Sequence, residues 1–110
     1  MSQRILILGA GESGIGTAVL AAARGYDVLV SDAGMIKEKY RKVLDEKGIV
    51  YEEGGHDKAL AFHPAEVMKS PGIPEKNELV KEIRKRGIPV VSEIEFASRY
   101  TQAKILAITG

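Results

Sequence analysis

Gly9-Ala10-Gly11-Glu12-Ser13-Gly14 has the spacing G-x-G-x-x-G, and Asp32 stands eighteen residues beyond its last glycine. Residues of these types at this spacing suit the diphosphate and ribose of a nucleotide. Gly9 permits a tight turn. Gly11 carries no side chain to keep an anion off the backbone, and Gly14 lets a helix pack closely on a strand. The free N–H groups of the first helical turn then face the anion, and the helix dipole adds to the attraction. One such contact contributes only ~0.3–1 kcal/mol at an exposed site, so several must act together. Ser13 adds a hydroxyl donor. The Glu12 carboxylate repels a diphosphate, so its side chain is expected in solvent while its N–H serves the ligand. Asp32 suits a ribose hydroxyl or a base N–H as acceptor, or alternatively a helix N-cap. No arginine follows it, which disfavours a 2′-phosphate and hence NADP.

The surrounding pattern supplies the elements such a loop needs. Arg4-Ile5-Leu6-Ile7-Leu8 is a nearly continuous apolar run ending at Gly9, the signature of a strand buried on both faces. Helical periodicity follows, with Ile15, Val19 and Ala22 on one face. Gly14, Gly16, Ala18 and Ala21 keep that helix thin, and Gly25 ends it. Residues 27–31 read as a second strand. A second helix carries Ile36, Tyr40, Val43 and Leu44 inward and stops at Gly48. Residues 49–52 form a weaker strand, and 66–69 a fourth one, stopped by Ser70-Pro71-Gly72. Residues 53–64 show no clear period, only Gly54-Gly55 and Pro64 as punctuation. A third helix is expected from Pro74 or Glu75, burying Leu79 and Ile83 and ending at Gly87. Residues 89–91 read as a fifth strand. Ser92-Glu93-Ile94-Glu95 is a capping box for a helix reaching about Tyr100.

Alternating strands and helices predict an α/β fold, a Rossmann-like open parallel sheet of about five strands with helices on both faces. Ligands of such sheets sit at the carboxyl ends of the strands, where the loops Gly9–Gly14, Asp32–Gly34, Glu53–Gly55 and Ser70–Gly72 fall. Ser70-Pro71-Gly72 is thus a tight turn or a second wall of the ligand crevice. Three helices end in a basic residue, a glycine and an apolar residue: Arg24-Gly25-Tyr26, Lys47-Gly48-Ile49 and Arg86-Gly87-Ile88.

A chain of 110 residues with 45% hydrophobic and 28% charged residues is long enough for one domain with its own core. Net charge is +1, which points to neither nucleic acid nor membrane as a partner. There is no cysteine, so disulfides and thiolate metal sites are excluded. His56 and His63 have no acidic cluster around them in sequence, so no metal site is expected and both read as surface histidines, with His56, which follows Gly54-Gly55 at a strand end, alternatively close to the ligand. No Ser-His-Asp or Cys-His constellation can be assembled, so no catalytic residues are assigned. Met1 leads straight into a strand without a signal-peptide pattern, which predicts a cytoplasmic protein. Ile105-Leu106-Ala107-Ile108 reads as a buried strand that stops at Thr109-Gly110, so a longer parent protein is expected.

Five segments come in an order that resembles the first domain of the Mur ligases: Leu8–Gly14, Val30–Asp32, Lys69–Ile73, Ser92–Phe96 and Ile105–Gly110. The resemblance covers essentially the whole chain. It is closest to the branch that adds D-glutamate to UDP-N-acetylmuramoyl-L-alanine in peptidoglycan synthesis. It implies a UDP-sugar-binding domain over residues 1–100, with 101–110 as linker and first strand of an ATP-binding central domain. By position, Gly11, Glu12, Ser13 and Gly14 meet the diphosphate, Asp32 the uridine, and Ser70, Pro71 and Gly72 the nucleotide from the next wall. Gly110 would be the first glycine of a P-loop whose remaining residues are missing. ATP, Mg²⁺ and D-glutamate would then be handled by absent domains, and this chain alone would catalyse nothing. Some members follow the acid with hydroxyl and basic residues, where this sequence has Ala33-Gly34. Without the resemblance, an NAD-binding dehydrogenase or regulatory domain fits the loop equally well. A Rossmann-like interaction module without a small ligand fits less well, given glycines suited to a diphosphate.

Overall fold

The apolar run of β1 (Arg4–Leu8) alternates between two cores in the computed structural model, which describes residues 3–100. Ile5 and Ile7 face one side, Leu6 and Leu8 the other. All four are essentially inaccessible to water, which makes β1 the centre of the sheet. The further elements are α1 (Glu12–Ala23), β2 (Asp27–Asp32), α2 (Glu38–Glu46), β3 (Val50–Glu53), β4 (Glu66–Lys69), α3 (Glu78–Lys85), β5 (Val90–Val91) and a helix α4 over residues 93–100. The strands lie in the order β3-β2-β1-β4-β5 and every pairing is parallel, as expected for a Rossmann-like sheet. The expected terminal strand, the 101–110 linker and Gly110 lie outside the described residues.

One core joins Ile5, Ile7, Val28, Val30 and Met68 to Ile15, Ala18 and Ala21 of α1, Leu44 of α2 and Phe96 of α4. The other joins Leu6, Leu8, Leu29 and Val67 to Ala59 and to Val80 and Ile83 of α3. Helices therefore cover both faces. Each fully buried Leu, Ile, Val or Phe contributes about 1.5–3 kcal/mol relative to exposure. The strand order reverses between β2 and β4 about β1, so the loops after β1 and β4 flank the crevice that such a reversal opens.

Several local expectations shift. The buried stripe of α1 is Ile15, Ala18 and Ala21, with Val19 and Ala22 only half-buried beside it. Gly16 is exposed, and a Cβ there would meet nothing within 4 Å, so it does not serve close packing. Ile36 is buried but precedes α2 rather than belonging to it. The third helix starts at Glu78, not near Pro74, because the Asn77 side chain caps it, accepting from the N–H groups of Leu79 (2.9 Å) and Val80 (3.4 Å). Its buried residues are Val80 and Ile83, with Leu79 half-buried. The capping box of α4 forms as expected: Glu95 N–H donates to Ser92 Oγ at 3.1 Å and Ser92 N–H to the Glu95 carboxylate at 3.3 Å. Residues 57–62, between β3 and β4, form successive turns rather than a crossover helix, with Ala59 in the core.

The far end of the sheet is locked separately. Arg99 makes two 2.7 Å bonds to Glu66 at the start of β4, and Tyr100 donates to the Tyr26 hydroxyl at 2.8 Å. The Glu66 carboxylate raises the Arg99 pKa still further above its ordinary value. Burial, aided by the bond to Tyr26, raises that of Tyr100. These groups sit by the amino ends of the strands, away from the glycine loop.

Candidate functional site

Four loops converge at the carboxyl ends of the strands. The first turns sharply at Gly9, whose φ of +97° suits glycine, and its N–H donates to Ser31 O of β2. A Cβ on Gly9 would lie 2.8 Å from Ser70 Cβ, so the loops after β1 and β4 are in direct contact. A Cβ on Gly14 would lie 1.9 Å from Gly9 O. The helix start and the strand end are therefore closer than any other residue allows, as the motif predicts.

Gly11 differs from both. Its φ of −79° and ψ of −172° are open to any residue, and a Cβ would meet nothing within 4 Å. Nothing in the protein's own packing requires glycine here. As the N-cap of α1 it offers no side-chain oxygen, and the first helical bond is Ile15 N–H to Gly11 O. The N–H groups of Glu12, Ser13 and Gly14 thus lack a partner among the described residues, and they surround an open approach beside Gly11. Glu12 is exposed, as expected of a carboxylate kept away from an anion.

Asp32 ends β2 and does not cap a helix, since α2 starts six residues later with Lys37 as its N-cap. Its carboxylate is already engaged. Oδ2 accepts from Ala10 N–H and Oδ1 from Gly34 N–H, both at 2.8 Å. Asp32 therefore fastens the glycine loop to the end of β2, a role the dinucleotide spacing alone does not reveal. Each oxygen retains a lone pair for a further donor.

The loop after β3 grips the loop after β2. Gly54 N–H donates to Gly34 O at 2.9 Å and Gly55 N–H to Asp32 O at 3.2 Å. Ile36 N–H donates to Glu53 Oε1 at 2.8 Å. His56, expected on the surface, instead lies 2.6 Å from the Oγ of fully buried Ser31. Two glycines with positive φ turn the chain back and bring it there. His63 is exposed, as expected.

On the β4 side, Ser70 N–H continues the ladder to Leu8 O, and the turn closes with Ile73 N–H donating to Ser70 O. Pro71 and Gly72 are exposed. Pro71 lines a cavity of about 330 Å³ together with Lys69, Glu75, Arg84 and Ser92–Glu95. Ser13 lines another of about 350 Å³ with Gly16, Leu20, Glu93 and Ile94. Glu93 and Ile94 border both cavities. From sequence they read as members of a capping box and of the Ser92–Phe96 segment, with no place assigned beside the crevice. Among the described residues no cluster of His, Asp or Glu is arranged to hold a metal, and no helix is long and apolar enough to cross a membrane.

The parallel sheet, the glycine turn and the fastened acid define a Rossmann-like domain. A solved murein peptide ligase from Psychrobacter arcticus superposes with a TM-score of 0.80 at 28% identity, covering 89% of this chain and 20% of that one. Residues 4–79 match the family described as MurD N-terminal domain, and the chain belongs to that family. It is 53% identical over 108 residues to the UDP-N-acetylmuramoylalanine--D-glutamate ligase of Bacteroides fragilis, covering 98% of this chain and 24% of the relative. It is 50% identical over 110 residues to the ligase of the same name from Christiangramia forsetii, covering 100% and 25% respectively. The chain thus spans about a quarter of the length of these relatives.

Proposed function

We infer that this chain holds the uridine diphosphate part of UDP-N-acetylmuramoyl-L-alanine for an ATP-dependent ligase that attaches D-glutamate to it in the cytoplasm. The observation that carries the reading is Gly11, a glycine that the fold does not need, beside three N–H groups without partners among the described residues. An anion on that approach receives the N–H groups of Glu12, Ser13 and Gly14 and the positive end of α1, with the Ser13 hydroxyl beside them. Ser70, Pro71 and Gly72 form the adjoining wall, and Asp32 meets the uridine side.

The ligase reaction begins when the substrate carboxylate attacks the terminal phosphorus of ATP, giving an acyl phosphate and ADP. The amine of D-glutamate then attacks the acyl carbon. Phosphate leaves, an amide forms and the amine loses a proton. ATP, Mg²⁺ and the amino acid would be handled outside the described residues. This chain contributes anchoring: it fixes one end of the substrate so that the distant carboxylate reaches the reacting groups in one orientation. Pure chain is accordingly expected to show no ATP turnover.

Asp32→Ala tests the site's construction. The substitution removes the acceptor of Ala10 N–H as well as any contact to the nucleoside. Hydrogen bonds to a charged group contribute about 1.5–3 kcal/mol, so UDP affinity is expected to fall roughly 10- to 100-fold. Pyrophosphate affinity should fall too, because the glycine loop loses its fastening. Competition calorimetry reads both. A loss confined to UDP would assign the carboxylate to the nucleoside alone and contradict its role in shaping the loop.

A further inference from the structure

The buried hydroxyl of Ser31 sits between a carboxylate and an imidazole. Ser31 Oγ is 2.9 Å from Glu52 Oε2 and 2.6 Å from His56 Nδ1, with Gly55 O farther away at 3.4 Å. The serine is completely buried. Its single proton can serve one acceptor well. An ionised carboxylate only accepts, so the Ser31 proton goes to Glu52. The imidazole must then donate, which requires the proton on Nδ1. Glu52 also accepts from Lys58 N–H at 3.0 and 3.2 Å, which closes the turn containing His56.

This network abuts the nucleotide loops without lining them. Ser31 immediately precedes Asp32, and Gly55, beside His56, donates to Asp32 O. Asp32 in turn holds Ala10 N–H. The connection runs from His56 to the end of β2 and from there to the glycine loop. Resting on the nucleotide-site reading above, we propose that His56 is a positioning residue: by donating from Nδ1 to buried Ser31 it seats the loop after β3 against Asp32, and so sets the glycine loop for the diphosphate.

Three readouts on the 110-residue chain test this. In a long-range ¹H–¹⁵N spectrum at neutral pH, His56 is expected to carry its proton on Nδ1. A bare Nδ1 with the proton on Nε2 would overturn the network. In hydrogen exchange without ligand, His56→Ala is expected to speed exchange at Ala10 and Gly34 about tenfold while the β1 amide of Leu6 is unchanged, the loss of one hydrogen bond acting locally. His56→Asn, whose amide donates from nearly the place of Nδ1, is expected to restore Ala10 to within about threefold. Unchanged exchange at Ala10, or equal acceleration at Ala10 and Leu6 in both variants, would overturn the positioning role. UDP affinity is expected to follow Ala10, falling about tenfold in His56→Ala and recovering in His56→Asn. If Ala10 responds as stated but the unsubstituted chain takes up no UDP, the nucleotide reading fails and the coupling stands.

Discussion

Gly11→Val is expected to fold as the unsubstituted chain does and to lose UDP binding by at least about a hundredfold, the effect of losing more than one charge-assisted hydrogen bond. The backbone at Gly11 is extended, with φ −79° and ψ −172°, which a β-branched residue adopts without strain. Its new Cβ meets nothing within 4 Å among the described residues. Valine caps a helix less well than glycine, but it also reduces the freedom of the unfolded chain, so the net stability change should stay within about 1 kcal/mol. The branched side chain would instead occupy the space by which the proposed diphosphate ligand reaches the N–H groups of Glu12, Ser13 and Gly14. Thermal unfolding and calorimetry on the same sample check both halves. Normal UDP affinity in a folded Gly11→Val chain would show that the ligand approaches elsewhere.

Gly14→Ala should do the opposite and cost stability first. The added methyl carbon would lie 1.9 Å from Gly9 O and 3.0 Å from Gly9 C. These are backbone atoms of a turn held by Ser31 O on one side and Ser70 on the other, so they cannot swing away as a side-chain tip would. Overpacking of this kind costs typically ~1–3 kcal/mol and occasionally more, and rigid partners place it at the upper end. For a domain of this size each kcal/mol lowers Tm by about 4–8 °C, so a fall of roughly 10 °C or more is expected. Gly16, two residues on, provides the internal comparison. It lies in the same helix, exposed and with open space around it. Gly16→Ala is expected to stabilise by about 0.5–1 kcal/mol through helix propensity. The same substitution, two positions apart, should thus change sign. A Gly14→Ala chain as stable as the parent would mean that α1 does not start against Gly9.

The parts of this fold legible in sequence are those governed by short-range rules. Arg4–Leu8, an apolar run, and Glu66–Lys69, with Val67 and Met68 at its centre, are strands whose ends are punctuated by Gly9 and Ser70-Pro71, and the structure bounds them at those residues. The three basic-glycine pairs end helices because the carbonyls there need both a left-handed turn and a nearby cation, and Arg24, Lys47 and Arg86 are the C-caps. The Ser92–Glu95 box is likewise local. The third helix was less legible because two starts compete, a proline entry at Pro74 and an asparagine cap at Asn77, and the cap with two N–H groups to satisfy prevails.

The site divides in the same way. The glycine roles follow from a spacing that encodes a strand, a turn and a helix in succession. The fastening of Ala10 by Asp32 bridges 22 positions, and that of Ser31 by His56 bridges 25. Such contacts exist only once parallel strands set their loops side by side, so no periodicity announces them. Residues 53–64 did not reveal the contact of His56 with Ser31 for this reason: they lack a helical or strand period, and only the place of His56 after Gly54-Gly55 hinted at the crevice. One signal was present in Ser31, a polar residue in an otherwise apolar strand. Burial there demands a partner from another loop.

The most direct measurement is a calorimetric titration of the chain with UDP, UDP-N-acetylmuramoyl-L-alanine and NAD⁺ under identical conditions. Saturable heat with both uridine ligands and none with NAD⁺ is the result expected if the glycine loop holds a nucleotide sugar, as proposed. Binding of NAD⁺ without binding of either uridine ligand would contradict it.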